Sequence, residues 1–166
     1  MNISTTTSII IVLSVVVLGI YISYYYRYPA DVSIVQTSLA NFSMQIFMEK
    51  QPIVVQDRVQ NLTDIRKAWF GTNITFNDVL KNDGQAEWVR NRFKFLVLQP
   101  QEKTEIVLYP PHLKMVDGAP DPEEHLLVMK VDALQILILP LHWKYHIETK
   151  NIISIGVHDF ITPFLF

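Results

Sequence analysis

Residues 137–148 read LILPLHWKYHIE, and the interpretation of the other segments of the chain depends on this stretch. An apolar run ends at Pro140, and apolar and polar residues alternate after His142. A period of two sends successive side chains to opposite faces of a β-strand. The alternation therefore predicts a strand with Trp143, Tyr145 and Ile147 on its core face. The polar face then consists of Lys144, His146 and Glu148.

Strand-like segments recur at close spacing through the remainder of the chain, separated by turn residues. They lie at residues 52–55, 74–76, 93–98, 104–109, 126–131, 134–139, 145–149 and 152–157. Short strands at such spacing are typical of a sandwich or barrel of jelly-roll type. Two helices are also predicted, one over residues 32–48 and one over residues 61–70 that ends at Gly71.

An uncharged apolar run of nineteen residues, 8–26, lies near the amino end. As a helix it is roughly 29 Å long, close to the hydrocarbon thickness of a bilayer. Four tyrosines crowd its carboxyl end, where aromatic rings prefer the membrane interface. The pattern predicts a single-pass membrane protein with an anchor at 1–28, a domain at 29–166, and the lipid bilayer as partner of residues 8–26.

Two other interpretations of this run are less favoured. A cleaved signal peptide would carry a basic residue before the run and a shorter apolar region, and neither is present. A buried core helix is disfavoured because the run is apolar on every face, which in a chain of this size suits a membrane span better than a core.

The composition excludes several classes of function. The net charge of the 166 residues is −2, which gives no basic footprint and predicts no nucleic-acid partner. The chain has no cysteine, so disulfides, zinc–thiolate sites and thiol nucleophiles are excluded.

Three segments, taken in order, resemble the cupin-like, JmjC-related family of 2-oxoglutarate oxygenases. They are EKQPIVV at 49–55, residues 93–111 with their terminal LYPP, and LILPLHWKYHIE at 137–148. The resemblance implies that the domain is mainly β, a double-stranded β-helix of jelly-roll or cupin type with a few helices, preceded by the transmembrane helix. The family's chemistry uses Fe(II) and 2-oxoglutarate.

The positions that carry this chemistry differ in the present sequence. Two histidines and one carboxylate hold such an iron and leave positions open for substrate. The resemblance carries the His-x-Asp pair onto Val89 and Asn91, the distal histidine onto Tyr145, and the basic residue for 2-oxoglutarate onto Thr104. Valine does not ligate a metal and asparagine supplies no charge. The resemblance therefore predicts degenerate slots, with no catalytic residue and no cofactor.

Two alternatives stay open. His146 and Glu148 form a His-x-carboxylate pair on one strand face, which would suit a displaced iron site in an Fe(II)- and 2-oxoglutarate-dependent hydroxylase. The second histidine would then be His112, His125, His142 or His158. A metal-free pocket for a sugar or small molecule, lined by Trp143 and Tyr145, is the other alternative.

The expected function is contact rather than catalysis, with a protein partner whose identity the sequence does not reveal. The apolar terminus, residues 160–166, either packs on its own barrel or docks on that partner. Small anchored proteins with degenerate cupin-like domains resemble those encoded by large DNA viruses with an internal membrane. This resemblance implies a viral or host internal membrane as location and a virion-membrane or minor-capsid role.

Overall fold

A computed structural model describes residues 3–29, 31–71, 76–80, 87–116, 118–121 and 125–165, with the backbone alone at 3–4 and 76–80. The first two residues of the short strand predicted at 74–76 lie outside these ranges. The chain begins with a long helix, α1 (Ile3–Tyr25). Over Thr5–Tyr25 this helix is long and apolar enough to cross a bilayer, a criterion that an N-terminal signal sequence also meets. Its side chains from Ser8 to Ile20 are exposed, whereas Tyr25 is buried. The last turn of α1 is therefore the part that packs on the β-rich domain.

The domain contains short strands and a few short helices. The strands are β1 (Val35–Thr37), β2 (Ile53–Val55), β3 (Phe76–Leu80), β4 (Val89–Arg90), β5 (Phe95–Pro100), β6 (Thr104–Tyr109), β7 (Met115–Val116), β8 (Ala119–Pro120), β9 (Leu127–Val131), β10 (Ile136–Pro140), β11 (Lys144–Ile147) and β12 (Ile152–His158). Among the described residues the domain also contains α2 (Leu62–Phe70) and the 3₁₀ helices at Met44–Glu49 and Thr162–Phe164. The prediction of a mainly β fold with a few helices after one apolar helix is confirmed.

The strands form two main sheets. One sheet has the order β1-β2-β10-β5-β12-β3 and the other has the order β4-β11-β6-β9. β1 pairs with β2 in parallel, and the other described strand pairs are antiparallel. β7 and β8 form a separate small hairpin.

The core has two parts, one on each face of the six-stranded sheet. Between the sheets lie Val54, Leu96, Leu98, Ile106, Leu108, Met129, Val131, Leu137, Leu139, Trp143, Ile147 and Ile152. On the other face lie Phe47, Ile53, Val55, Val59, Leu62, Phe70, Val97, Ile136, Ile138, Ile155 and Val157. Because this sheet is covered on both faces, all five residues of β10 are buried. This double burial explains the unbroken apolar run before Pro140.

One helix prediction is right and one is wrong. α2 begins after Asn61, whose side-chain oxygen accepts from the Thr63 N–H at 3.1 Å, and it ends at Gly71 as predicted. Residues 32–48 were expected to form a helix, but they contain β1 and the start of a 3₁₀ helix. The Val35 N–H donates to the Pro52 carbonyl at 2.8 Å, which draws this segment into the sheet beside β2.

Candidate functional site

The turn between β10 and β11 is shaped by a buried asparagine. Asn91 is 1% exposed, and its amide nitrogen donates to the carbonyl oxygens of Leu139 and Pro140 at 2.9 and 2.8 Å. Its amide oxygen accepts from the Phe93 N–H at 2.9 Å. Both ends of the amide are therefore used to hold backbone that would otherwise be buried without partners.

Backbone hydrogen bonds tie the same residue to the other side of the turn. The Asn91 N–H donates to the Trp143 carbonyl at 2.7 Å, and the His142 N–H donates to the Asn91 carbonyl at 2.9 Å. His142 has a φ of 70°, which is uncommon for a residue other than glycine but is tolerated by histidine better than by most residues. Asn91 thus fixes the path of the chain into β11.

Three of the four degenerate slots come together at this place. Val89 and Tyr145 are cross-strand partners in the β4–β11 pair, and Asn91 follows directly after β4. Thr104 lies at the far end of β6, four residues from Leu108, the residue that faces Tyr145 in the next strand. Four residues of strand correspond to ~13 Å. The structure therefore groups the metal slots and leaves Thr104 apart from them.

The groups at these slots offer little to a metal ion. Tyr145 is half-buried against the core between the sheets, and burial raises its pKa to about 12. Its phenol is therefore neutral at physiological pH. Val89 has no donor atom, and both ends of the Asn91 side chain are held by backbone groups. The site residues assigned from the resemblance remain predictions.

The alternative pair lies on the neighbouring part of β11. The His146 ring is half-buried, with its centroid 5.8 Å from that of Trp88, and Glu148 is exposed just beyond the strand. Among the residues that the structure describes, no three His, Asp or Glu side chains are grouped so as to hold a metal ion. The displaced iron site remains untested.

The other histidines of the displaced-site hypothesis occupy separate environments. His112 and His125 are exposed and line a cavity of about 390 Å³ together with Asp31. The His158 ring lies 6.4 Å from that of Phe93 on the six-stranded sheet. His142 is buried in the β10–β11 turn.

His142 has a strongly cationic environment. Its Nδ1 lies 2.8 Å from a guanidinium nitrogen of Arg90, and the rings of Tyr26 and Tyr28 pack on it at 5.7 and 6.3 Å. Burial, together with the charges of Arg90 and Lys144, lowers the pKa of His142 to about 4. The imidazole is therefore neutral at physiological pH, in contact with the residues that follow α1.

The predicted polar face of β11 is partly covered. Lys144 is 8% exposed, and its ammonium donates to the carbonyl oxygens of Pro110 and Leu113 while lying 4.9 Å from the centre of the Tyr109 ring. Burial and the nearby Arg90 charge lower the pKa of Lys144. The period-two alternation is correct, but the loop after β6 closes over the start of this face.

Trp143 belongs to the core rather than to an open pocket. It is 1% exposed, and its indole N–H donates to the Lys50 carbonyl at 3.1 Å. The alternative that Trp143 lines a ligand pocket is therefore not supported by its position. Its hydrogen bond is instead to Lys50, which contacts α1.

Lys50 caps the carboxyl end of α1. Its ammonium donates to the Tyr24 carbonyl, and to the Arg27 carbonyl at 2.7 Å, and lies 3.8 Å from the centre of the Tyr24 ring. A cation satisfies the unpaired carbonyls at a helix end and interacts favourably with the helix dipole. Burial, with the Arg27 charge, lowers the pKa of Lys50 to about 8. Lys50 thus connects α1 to the core tryptophan.

Asp159 makes the second connection to α1. Its carboxylate is fully buried and accepts from the hydroxyls of Tyr21 (2.7 Å) and Tyr25 and from the Lys94 ammonium at 3.0 Å. Its other oxygen accepts from the Ile161 and Thr162 N–H groups and the Thr162 hydroxyl. Burial acts to raise the pKa of Asp159, but the hydrogen bonds from Thr162 and the two tyrosines outweigh it and hold the pKa well below its usual range.

We refer to Lys50, Asp159 and the tyrosines they contact as the anchor junction. Sequence reasoning missed it, because Tyr21 and Asp159 are 138 positions apart and no local pattern links them. An uncharged tyrosine-rich end of a helix was visible, but its partner was not.

Comparisons with known proteins give no assignment: no family model, no curated protein and no solved structure matches this chain.

Proposed function

We propose that this protein is a membrane-anchored, non-catalytic domain of double-stranded β-helix type with a structural or interaction role. The fold part of the proposal is supported by strand order. Apart from the β7–β8 hairpin, the chain from β3 to β12 visits the six-stranded sheet at β3, β5, β10 and β12 and the four-stranded sheet at β4, β6, β9 and β11. Eight strands divided between two sheets with such crossings fit a jelly roll.

The observation that carries the non-catalytic part is the state of Asn91. A ligand at this position would need a free, charged oxygen directed at the metal. Instead the Asn91 amide is inaccessible, and its two ends bind the Leu139 and Pro140 carbonyls and the Phe93 N–H. Its neighbours across the site are an aliphatic side chain at Val89 and a neutral phenol at Tyr145.

The anchor part is supported by the way α1 is built into the domain. A cleaved signal peptide would take with it two of the hydrogen bonds to the buried Asp159 carboxylate and the partners of the Lys50 ammonium. Losing partners of a buried carboxylate is costly. A helix whose last turn satisfies buried groups of the mature domain fits a retained anchor.

The location and partner follow by analogy. Anchored degenerate cupin-like domains of large DNA viruses motivate a role in a viral or host internal membrane, with a protein partner in the virion membrane or minor capsid. Within the terminus, Ile161 and Thr162 are buried in the domain, while Phe160 and Phe164 are 60% and 83% exposed.

Metal binding tests the non-catalytic assignment. The full chain, purified in detergent, is titrated anaerobically with Fe(II) or Mn(II), with and without 2-oxoglutarate, by calorimetry. We expect no saturable binding. Stoichiometric binding that the His146→Ala variant abolishes would instead establish the displaced iron site. The matched control is Glu105→Ala, which removes an exposed carboxylate that no candidate iron site includes.

Two measurements test the anchor, and a third tests the interaction role. The intact mass of the mature protein distinguishes a retained helix from a cleaved one, and carbonate extraction of membranes shows whether the chain stays in the bilayer. We expect the full mass, in the membrane pellet. Cross-linking in purified membranes or particles tests for a protein partner. Recovery of a shortened, soluble chain would refute the anchor, and absence of a cross-linked partner would refute the interaction role.

A further inference from the structure

The part of α1 that stands clear of the domain is slightly too short to cross a bilayer. Side chains from Ser8 to Ile20 are exposed, whereas Tyr21, Tyr24 and Tyr25 contact the domain. From Ile3 to Ile20 the helix is about 27 Å long at 1.5 Å per residue. A hydrocarbon core of about 30 Å therefore reaches into the turn that carries the domain, and any tilt of the helix brings it closer.

Exposed apolar side chains from two separate segments surround this turn. The ring of Phe160 is stacked on that of Tyr21, with centroids 6.2 Å apart and planes within 3°. Met48, which is 63% exposed, accepts a hydrogen bond at its sulfur from the Tyr24 hydroxyl at 3.3 Å. Phe164, at 83% exposure, ends the 3₁₀ helix that follows Phe160, and the carbonyl of the next residue, Leu165, accepts from the Tyr26 hydroxyl at 3.5 Å. We call Met48, Phe160 and Phe164 the membrane-proximal patch.

The stacking fixes the depth of the patch. Tyr21 lies about one turn, or 6 Å, before the last residue of α1, and is therefore closer to the membrane than that residue. The ring of Phe160 is 6.2 Å from that of Tyr21, so the two rings differ in depth by at most about one helical turn. Aromatic rings favour the boundary region of the bilayer.

The satisfied state of Asp159 fits the same location. A carboxylate next to lipid has no water to solvate it, and an unpaired charge there is costly. Asp159 is fully buried, and both of its oxygens accept hydrogen bonds, from the α1 tyrosines and Lys94 on one and from Ile161 and Thr162 on the other. The polar group behind the patch is therefore provided for without solvent.

We infer that the membrane-proximal patch inserts into the boundary between lipid headgroups and acyl chains of the bilayer that α1 crosses. The domain then lies on the membrane surface in a fixed orientation instead of hanging from a flexible linker. The occupant of the patch is lipid, because Phe160 and Met48 contact the last turn of the helix that crosses the bilayer and are exposed beside it. The inference rests on the proposed anchor.

The absence of cysteine in the chain makes a site-specific test direct. Single-cysteine variants of the full chain are labelled with an environment-sensitive fluorophore and placed in phosphatidylcholine nanodiscs containing doxyl lipids, with the quencher either shallow or deep in the acyl chain. Phe164→Cys probes the patch. Val12→Cys, in the middle of the exposed part of α1, probes the anchor. Val128→Cys is the matched control, since Val128 is 56% exposed on β9.

We expect the shallow quencher to reduce the emission at position 164 at least twofold, the deep quencher to do so at position 12, and neither to affect position 128. Quenching at position 12 without quenching at position 164 overturns the inference and leaves the anchor in place. Absence of quenching at position 12 overturns the anchor, and the inference with it. Equal quenching at positions 128 and 164 also overturns the inference, because contact would not be specific to the patch.

Discussion

Replacing Asp159 by asparagine removes the charge on which the anchor junction depends. The shape of the side chain is kept, and one oxygen still accepts from Ile161 and Thr162. The new amide N–H₂ then faces Lys94, whose ammonium has no lone pair with which to accept. Tyr21 and Tyr25 keep partners only by reorienting their hydroxyls, and those bonds lose their charge-assisted strength.

The magnitude follows from these three contacts. Converting a hydrogen bond to a charged acceptor into a neutral one costs about 1 kcal/mol for each tyrosine, and the unpaired Lys94, whose side chain is 28% exposed, adds about 1 kcal/mol more. We expect Asp159→Asn to lower the free energy of unfolding by about 3 kcal/mol. The control is Asp132→Asn, which removes the exposed ion pair with Lys103 and is expected to cost less than about 0.5 kcal/mol.

Urea unfolding of the full chain in nonionic detergent, followed by tryptophan fluorescence, measures the difference. With a slope of about 2 kcal/mol per molar urea, the midpoint of Asp159→Asn falls by about 1.5 M. Because folding depresses the pKa of Asp159, its contribution is complete above the unfolded pKa of about 4 and is lost as the pH falls through the folded value. The gap between wild type and variant should therefore persist at pH 5 and shrink only in stronger acid. Equal midpoints for Asp159→Asn and Asp132→Asn would refute the reasoning.

Three further predictions concern the same region. Folding lowers the pKa of His142 from 6.5 to about 4, so the unfolded chain binds more protons between these pH values, and the free energy of unfolding falls by about 3 kcal/mol as the pH drops from 6.5 to 4. In His142→Asn the midpoint of urea unfolding should depend less on pH over this range. An unchanged pH dependence would contradict the lowered pKa of His142. Asn91→Asp directs a carboxylate at two carbonyl oxygens and should cost about 3 kcal/mol, against almost nothing for the exposed Asn151→Asp; a stable Asn91→Asp that binds Fe(II) would speak against the proposed role. Lys50→Met removes the cation that caps α1 and should lower the free energy of unfolding by about 1 kcal/mol. Lys130→Met, at an exposed lysine, is the control, and equal losses of stability in the two variants would show that Lys50 does not stabilise the helix end.

Patterns with a period of two were the part of the fold that the sequence predicted best. The strand expected at 104–109 is β6, Thr104–Tyr109, without displacement. The strand expected at 134–139 begins two residues later, because Leu134 takes a φ of 67° and forms part of the preceding turn. Side chains on a strand repeat locally, so alternation predicts the existence of strands better than their ends.

The failures have a different origin. Residues 32–48 have apolar side chains at mixed spacing, because Val32 and Ile34 contact the core between the sheets while Val35 contacts the core on the other face. Pairing with β2 is a non-local choice that overrides weak helical propensity. The hydrogen bonds by which Asn91 holds the β10–β11 turn were not predicted, since its partners are 48 and 49 positions away.

A series of hydrogen bonds connects residues 137–148 to α1. Asn91 holds the turn that orients Trp143, the indole of Trp143 binds the Lys50 carbonyl, and the Lys50 ammonium caps α1. His142 in the same turn packs under Tyr26 and Tyr28. Placing a metal ligand at position 91 would break the first link of this series. Asn91 therefore acts in the packing of the domain on α1.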